Sequence, residues 1–156
     1  MAGVEDEVRA DPREFGELVL WLVNRLSSFP CPVITIGESI GQFIERLEKE
    51  GYTMRLEGNG RRVLERVVEE RTASPQAFEA FRYMLVVFLP EWRVYHAGDH
   101  IEYTFAKWRL EDLSTSLLSI WRLVLVPGEY RLKSVCVYDI SDEVTKDDNE
   151  TEPEAG

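Results

Sequence analysis

The stretch LLSIWRLVLVPGEYRLKSVCVYDI, residues 117–140, decides the fold. Leu117–Val126 and Glu129–Ile140 read as strands, and Pro127-Gly128 between them suits a type II turn. The two runs therefore predict a β-hairpin. Pairing Val126 with Glu129 sets Leu125 against Tyr130, Leu123 against Leu132 and Trp121 against Ser134, which is a core face. The same register sets Arg122 opposite Lys133, with Arg131 diagonal to Arg122. Like charges facing each other across strands are destabilising. Nothing local relieves them, so either the side chains splay into water, a distant carboxylate reaches them, or a phosphate backbone lies across them.

Working upstream, Trp92–His96 and Ile101–Trp108 alternate, around a Gly98-Asp99 hairpin turn. That turn sets Val94 against Tyr103 and Trp92 against Phe105 on an apolar face. Arg93, Tyr95, Glu102 and Thr104 take the opposite face. Glu111–Ser116 reads as a short helix or loop. The first half of the chain reads as helical. Asp11-Pro12 offers a cap and a first-turn proline, with Phe15, Leu18, Val19, Leu22, Val23 and Leu26 inward. Pro30 and Pro32 stop that helix, and Val33–Ile36 is a short strand or an extended link. Gly37–Ser39 opens a second helix with Ile40, Phe43, Ile44 and Leu47 inward, ended by Gly51. Tyr52–Leu56 reads as a short strand. Arg61–Arg71 reads as a third helix, with Val63, Leu64, Val67 and Val68 inward. Ser74-Pro75 opens a fourth, with Phe78, Phe81, Leu85 and Phe88 inward. The expected fold class is α+β: about four N-terminal helices packed on a C-terminal antiparallel β-meander.

The chain has 156 residues, 44% of them hydrophobic and 30% charged, which is globular composition. The formal net charge of −11 is uneven. Residues 139–156 carry eight acids against Lys146, and residues 1–11 carry four against Arg9, so 12–138 is close to neutral. The expected organisation is a flexible acidic N-terminus over 1–11, one globular domain over 12–140 and an acidic disordered tail over 141–156. No apolar run reaches the ~20 residues of a membrane span, and the start lacks a signal-peptide pattern. A cytoplasmic protein is expected. Cys31 and Cys136 are too few for a disulfide scaffold and are read as buried, inert thiols.

Chemistry-bearing patterns are sparse. His96, Asp99 and His100 flank one turn and could ligate a metal in a small nuclease, but a solvated turn explains them as well. Glu57–Arg62 opens the third helix, where backbone N–H groups favour an anion or simply make a turn, and it lacks the phosphate-loop lysine and serine. No nucleophile–base pair stands out, so no catalytic, metal or cofactor site is assigned and a non-enzymatic protein is expected. Eight of the 17 aromatic residues lie in 90–138, several beside a base, as in Trp92-Arg93, Lys107-Trp108-Arg109, Trp121-Arg122 and Tyr130-Arg131. Single-stranded nucleic acid is held by rings that stack on bases and cations that follow phosphates. The candidate nucleic-acid-binding residues are Arg93, Tyr95, Lys107, Trp108, Arg109, Arg122, Arg131 and Lys133. Lys107 falls on the apolar face of a regular strand, so it needs a strand end or a bulge.

In plan, the chain resembles the ThermoDBP-related single-stranded DNA-binding proteins of hyperthermophilic archaea. The resemblance spans roughly residues 12–140. It rests on length, helices before a meander, and the aromatic–basic segments EWRVYH, KWR, SIWRL and EYRLK. It implies helices on an antiparallel sheet and an aromatic–basic cleft holding DNA with low sequence specificity. The family's founding members add a C-terminal leucine zipper, which the acidic, heptad-free residues 139–156 lack. The expected partners are single-stranded nucleic acid, a second copy of the chain, and a basic protein drawn to the acidic tail, with no membrane. The alternative is a structural or adaptor domain, of cellular or viral origin, that binds another protein.

Overall fold

The computed structural model describes residues 11–58, 60–111 and 116–140, with the side chains of 106–111 and 116 left aside. In chain order the elements are α1 (Pro12–Ser27), α2 (Ile40–Lys49), β1 (Thr53–Leu56), β2 (Arg62–Thr72), α3 (Pro75–Phe88), β3 (Val94–His96), β4 (Ile101–Glu111), β5 (Ser116–Val126) and β6 (Arg131–Asp139). Glu91–Arg93 and Pro127–Glu129 are 3-10 turns. The strands form one sheet in the order β1-β2-β6-β5-β4-β3, antiparallel at both edges. The α+β class is as expected. Two details differ. Three α-helices occur among the described residues, because Arg61–Arg71 supplies strand β2 in place of a third helix. The meander β3-β4-β5-β6 does not end at β6, because β2 pairs on its far side.

The misread segment shows why. Val63, Leu64, Val67 and Val68 fit a helical stripe, but such a short apolar run fits a strand as well. The hairpin with β1 decides it, with Thr53 opposite Glu65 and Leu56 opposite Arg62. Val63 and Leu64 are buried on opposite faces, while Val67 is exposed. Glu57–Arg62 is therefore the reversal of a hairpin, closed by the Glu57 N–H on the Arg61 carbonyl at 2.9 Å, and no helix N-terminus exists there for an anion.

The chain packs as two units. One draws on 11–30, 68–105 and 122–134, the other on 31–67, 106–121 and 135–140. In the first unit, the Asp11 carboxylate accepts the Arg13 N–H at 2.9 Å and Pro12 opens α1. Ser74 caps α3 by accepting the Ala77 N–H at 3.2 Å. Glu14 joins the two helix starts, accepting from the Ser74 N–H at 2.9 Å and from its hydroxyl at 2.5 Å. Leu18, Trp21 and Leu22 of α1 and Ala77, Phe78, Phe81 and Leu85 of α3 enter the core with Ile101, Tyr103, Leu123, Leu125 and Leu132. α1 is rotated from the expected stripe: Trp21 is inward, and Val23 and Leu26 are exposed. The reason is Glu69 on β2, which accepts the Trp21 indole N–H at 2.9 Å and pairs with Arg25. Burial raises the Glu69 carboxyl, but the hydrogen bonds from Arg25 and Trp21 outweigh it and leave the group below its ordinary range. Phe88, expected inward, is exposed at the end of α3.

In the second unit, α2 opens with a capping box. Ser39 accepts the Gln42 N–H at 3.1 Å, and the Gln42 side chain accepts the Ser39 N–H at 2.9 Å. It closes at Gly51, whose φ of +100° disfavours other residues. Ile40, Phe43 and Leu47 are buried, with the Phe43 ring edge-on to Tyr138 of β6 at 5.4 Å. Cys31 and Cys136 form a disulfide with Cα atoms 5.6 Å apart, so they are not inert thiols. Their separation of 105 residues hid this pairing from the sequence.

Val33–Ile36 is a link and not a strand. Arg46 on α2 donates to the Val33 carbonyl at 2.9 Å and grips Glu38 through two 2.9 Å bonds. Glu38 also accepts the Thr35 N–H at 3.0 Å. The Arg46 hydrogen bonds, then the Thr35 N–H, hold the Glu38 carboxyl at about 2, against an ordinary value of 4.5. A carboxyl lowered on folding stabilises the fold above its unfolded value and loses that effect as pH falls through its folded value. Between pH 4.5 and 2, the melting temperature of Glu38→Gln is therefore expected to fall less than that of the wild type. Parallel curves would show that the clasp contributes nothing to acid sensitivity.

Candidate nucleic-acid interface

In the first unit, strand alternation separates the helix-covered face of the sheet from the other face. On β4, Ile101 and Tyr103 are buried. Register sets Val94 opposite Tyr103 and Tyr95 opposite Glu102, as the turn at Gly98-Asp99 requires. Directly opposed residues share a face. Tyr95 and Glu102 therefore lie opposite the core, and Tyr95 is 62% exposed. On β6, Leu132 and Ser134 are buried, which places Arg131 and Lys133 on the face away from them. On β5, Leu123 and Leu125 are buried and Arg122 points away.

The candidate cations are thus brought to one face, but not bare. Glu102 stands 3.7 Å from the Arg122 guanidinium and 4.0 Å from His100 Nε2. Glu70 on β2 stands 3.4 Å from Arg131 and 3.8 Å from the Lys133 ammonium. Glu129 adds a second carboxylate 3.4 Å from Arg131. Of the ways to relieve the like charges, the distant carboxylate is the one found. Sequence reasoning missed Glu70 and Glu102 as partners, because only the β2–β6 and β4–β5 adjacencies bring them in. The hairpin reversal also differs. It takes four residues, with Tyr130 left-handed (φ 50°, ψ 42°) and outside the strand. Tyr130 is therefore not the strand partner of Leu125. Its ring meets Phe78 edge-on at 5.6 Å.

Arg93 is committed to structure. Its guanidinium donates to the carbonyls of Phe105 at 2.9 Å and Thr104 at 3.3 Å. It also lies 4.6 Å from the Trp92 ring centre. Trp92, expected to face Phe105 in a strand, instead sits in the 3-10 turn after Pro90 and is 74% exposed. The Pro90-Glu91 start was the available signal for a turn. Lys107, Trp108 and Arg109 lie on β4, but their side chains are outside the described ones.

Asp99 accepts from His100 Nδ1 at 2.7 Å, and this bond holds its carboxyl below the ordinary range. Among the described residues, no group of three His, Cys, Asp or Glu side chains is placed to hold a metal. A groove of about 550 Å³ runs between this turn and the 127–129 turn, lined by Arg82, His96, His100, Val126 and Glu129. Its charges are mixed in sign, so it offers an anion no selective site. No described helix is long and apolar enough to cross a membrane. Compared with protein families, curated proteins and solved structures, the chain matches none.

Proposed function

We propose that this face of the sheet binds single-stranded nucleic acid, with no catalytic step. The observation that carries the reading is an exposed ring, Tyr95, on the same face as Arg122, Arg131 and Lys133. A base stacks on Tyr95, and Trp92 gives a second exposed ring near the sheet edge. Phosphates take the cations from Glu70 and Glu102. The exchange is cheap at Glu70, whose part-exposed pairs with Arg131 and Lys133 are worth only ~0–1 kcal/mol each, and dearer at the more buried Arg122–Glu102 pair. Duplex DNA hides its base faces and gains nothing from the rings. The two carboxylates keep the face from acting as a general polyanion trap.

Fluorescence anisotropy of a labelled oligo-dT and its duplex, at two salt concentrations, tests the reading. Preference for the single strand is expected, with a log–log salt slope near −2, since three phosphate contacts at ~0.7 each set the limit. Tyr95→Ala is expected to weaken binding by ~5–150-fold, the equivalent of ~1–3 kcal/mol per stacked base. Glu102→Gln is expected to tighten it. Equal affinity for duplex, or a Tyr95→Ala protein that binds as the wild type does, would count decisively against this site.

A further inference from the structure

α3 is apolar on nearly every side. Ala77, Phe78, Phe81 and Leu85 face the core. Tyr83, Val86 and Val87 follow one outward stripe at i, i+3 and i+4, between 57% and 71% exposed, and Phe88 at the helix end is 76% exposed. From Tyr83 to Leu89 no residue is charged. α1, which packs against α3, adds exposed Leu20, Val23 and Leu26. A helix apolar all round belongs inside a core or an interface. With ~150–250 Å² for a whole aromatic side chain, these residues expose on the order of 700 Å². The largest apolar patch on an ordinary monomer is ~300–600 Å². A stable interface takes ~800 Å² from each partner.

We infer that this helical layer docks on the same layer of a second copy of the chain. A two-fold contact sets each residue near its own image, so a charged stripe would oppose like to like. The last six residues of α3, Tyr83–Phe88, carry no charge to oppose. The helix's own charges, Glu79 and Arg82, lie earlier and face each other at 3.7 Å. The area matches one half of a standard interface, and the surface is compatible with its own image. The docking face is formed by helices and does not use the cation-bearing face of the sheet, so the inference stands whether or not that face binds nucleic acid.

Sedimentation velocity on the full chain, from ~1 to 100 μM, tests it. A dimer that dissociates on dilution is expected, with a melting temperature that rises with concentration. Tyr83→Glu/Val87→Glu is expected to sediment as a monomer at every concentration, with an unchanged far-UV circular dichroism spectrum. If that double variant does not fold, Val86→Lys, which charges a residue already 62% exposed, gives the same reading. A wild-type chain that is monomeric throughout would leave the face to a different protein and overturn the proposal. A folded variant that still dimerises would overturn it too.

Discussion

Reducing the Cys31–Cys136 bond is expected to lower the melting temperature by about 10 °C, since closing a loop of ~100 residues is worth ~4 kcal/mol and each kcal/mol moves a domain of this size by ~2–4 °C. The two cysteines are separated by 105 positions in sequence, so the bond removes much of the freedom of the unfolded state. Calorimetry with and without a phosphine reductant measures the effect, with alkylation and mass spectrometry counting free thiols. Cys31→Ser/Cys136→Ser should melt as the reduced wild type does. Two alkylatable thiols in the native protein, or identical melts after confirmed reduction, would refute the expectation. Disulfides of this kind persist in oxidising compartments and also inside hyperthermophiles.

Tyr138→Ala is expected to destabilise the protein by about 3–5 kcal/mol, the range for removing a fully buried aromatic ring. Tyr138 is 0% exposed, edge-on to Phe43 at 5.4 Å and to Tyr52 at 5.5 Å. Its hydroxyl donates to the Pro32 carbonyl at 2.5 Å, one residue from the disulfide. Burial raises both phenols, that of Tyr52 to about 12 and that of Tyr138 further, so each stays neutral. Tyr138→Phe keeps the ring and loses the bond to Pro32, for about 1 kcal/mol. Urea unfolding midpoints compare the two. A Phe variant as unstable as the Ala variant would move the main contribution from the ring to the hydroxyl. A Phe variant equal to wild type would leave the Pro32 bond without weight.

The parts of this fold that were legible in sequence are those whose signal is local. The α1 start at Asp11-Pro12, the Ser39 cap, Gly51 and the Gly98-Asp99 turn all use residue types that a few neighbours require. What stayed hidden depends on adjacency across the chain. The segment 61–71 carries a pattern that fits two periods, and only its neighbours β1 and β6 choose between them. Trp21 faces inward because Glu69 waits on β2, and Val23 then turns outward. The basic face was legible as a set of cations, because strand alternation alone puts Arg122, Arg131 and Lys133 on one side. Its compensation was not, because Glu70 and Glu102 sit on strands whose places in the sheet no short pattern encodes. Cys31 and Cys136 are the extreme case, two lone residues whose meeting depends on the entire order of strands.

That order also governs how the chain is made. The finished sheet ends in β1 and β3, strands of four and three residues that pair only with 62–65 of β2 and 101–103 of β4. β6, which follows the other described strands in the chain, belongs between β2 and β5, which are 11 residues each. Until β6 is synthesised, those two long strands lack the neighbour that finally separates them. Their hydrogen-bonding edges stand open for as long as translation of residues 131–139 takes. Non-local closure of this kind is slow and exposes the nascent chain to aggregation. Cys136 travels on that strand, so the bond to Cys31 cannot form until β6 has been made.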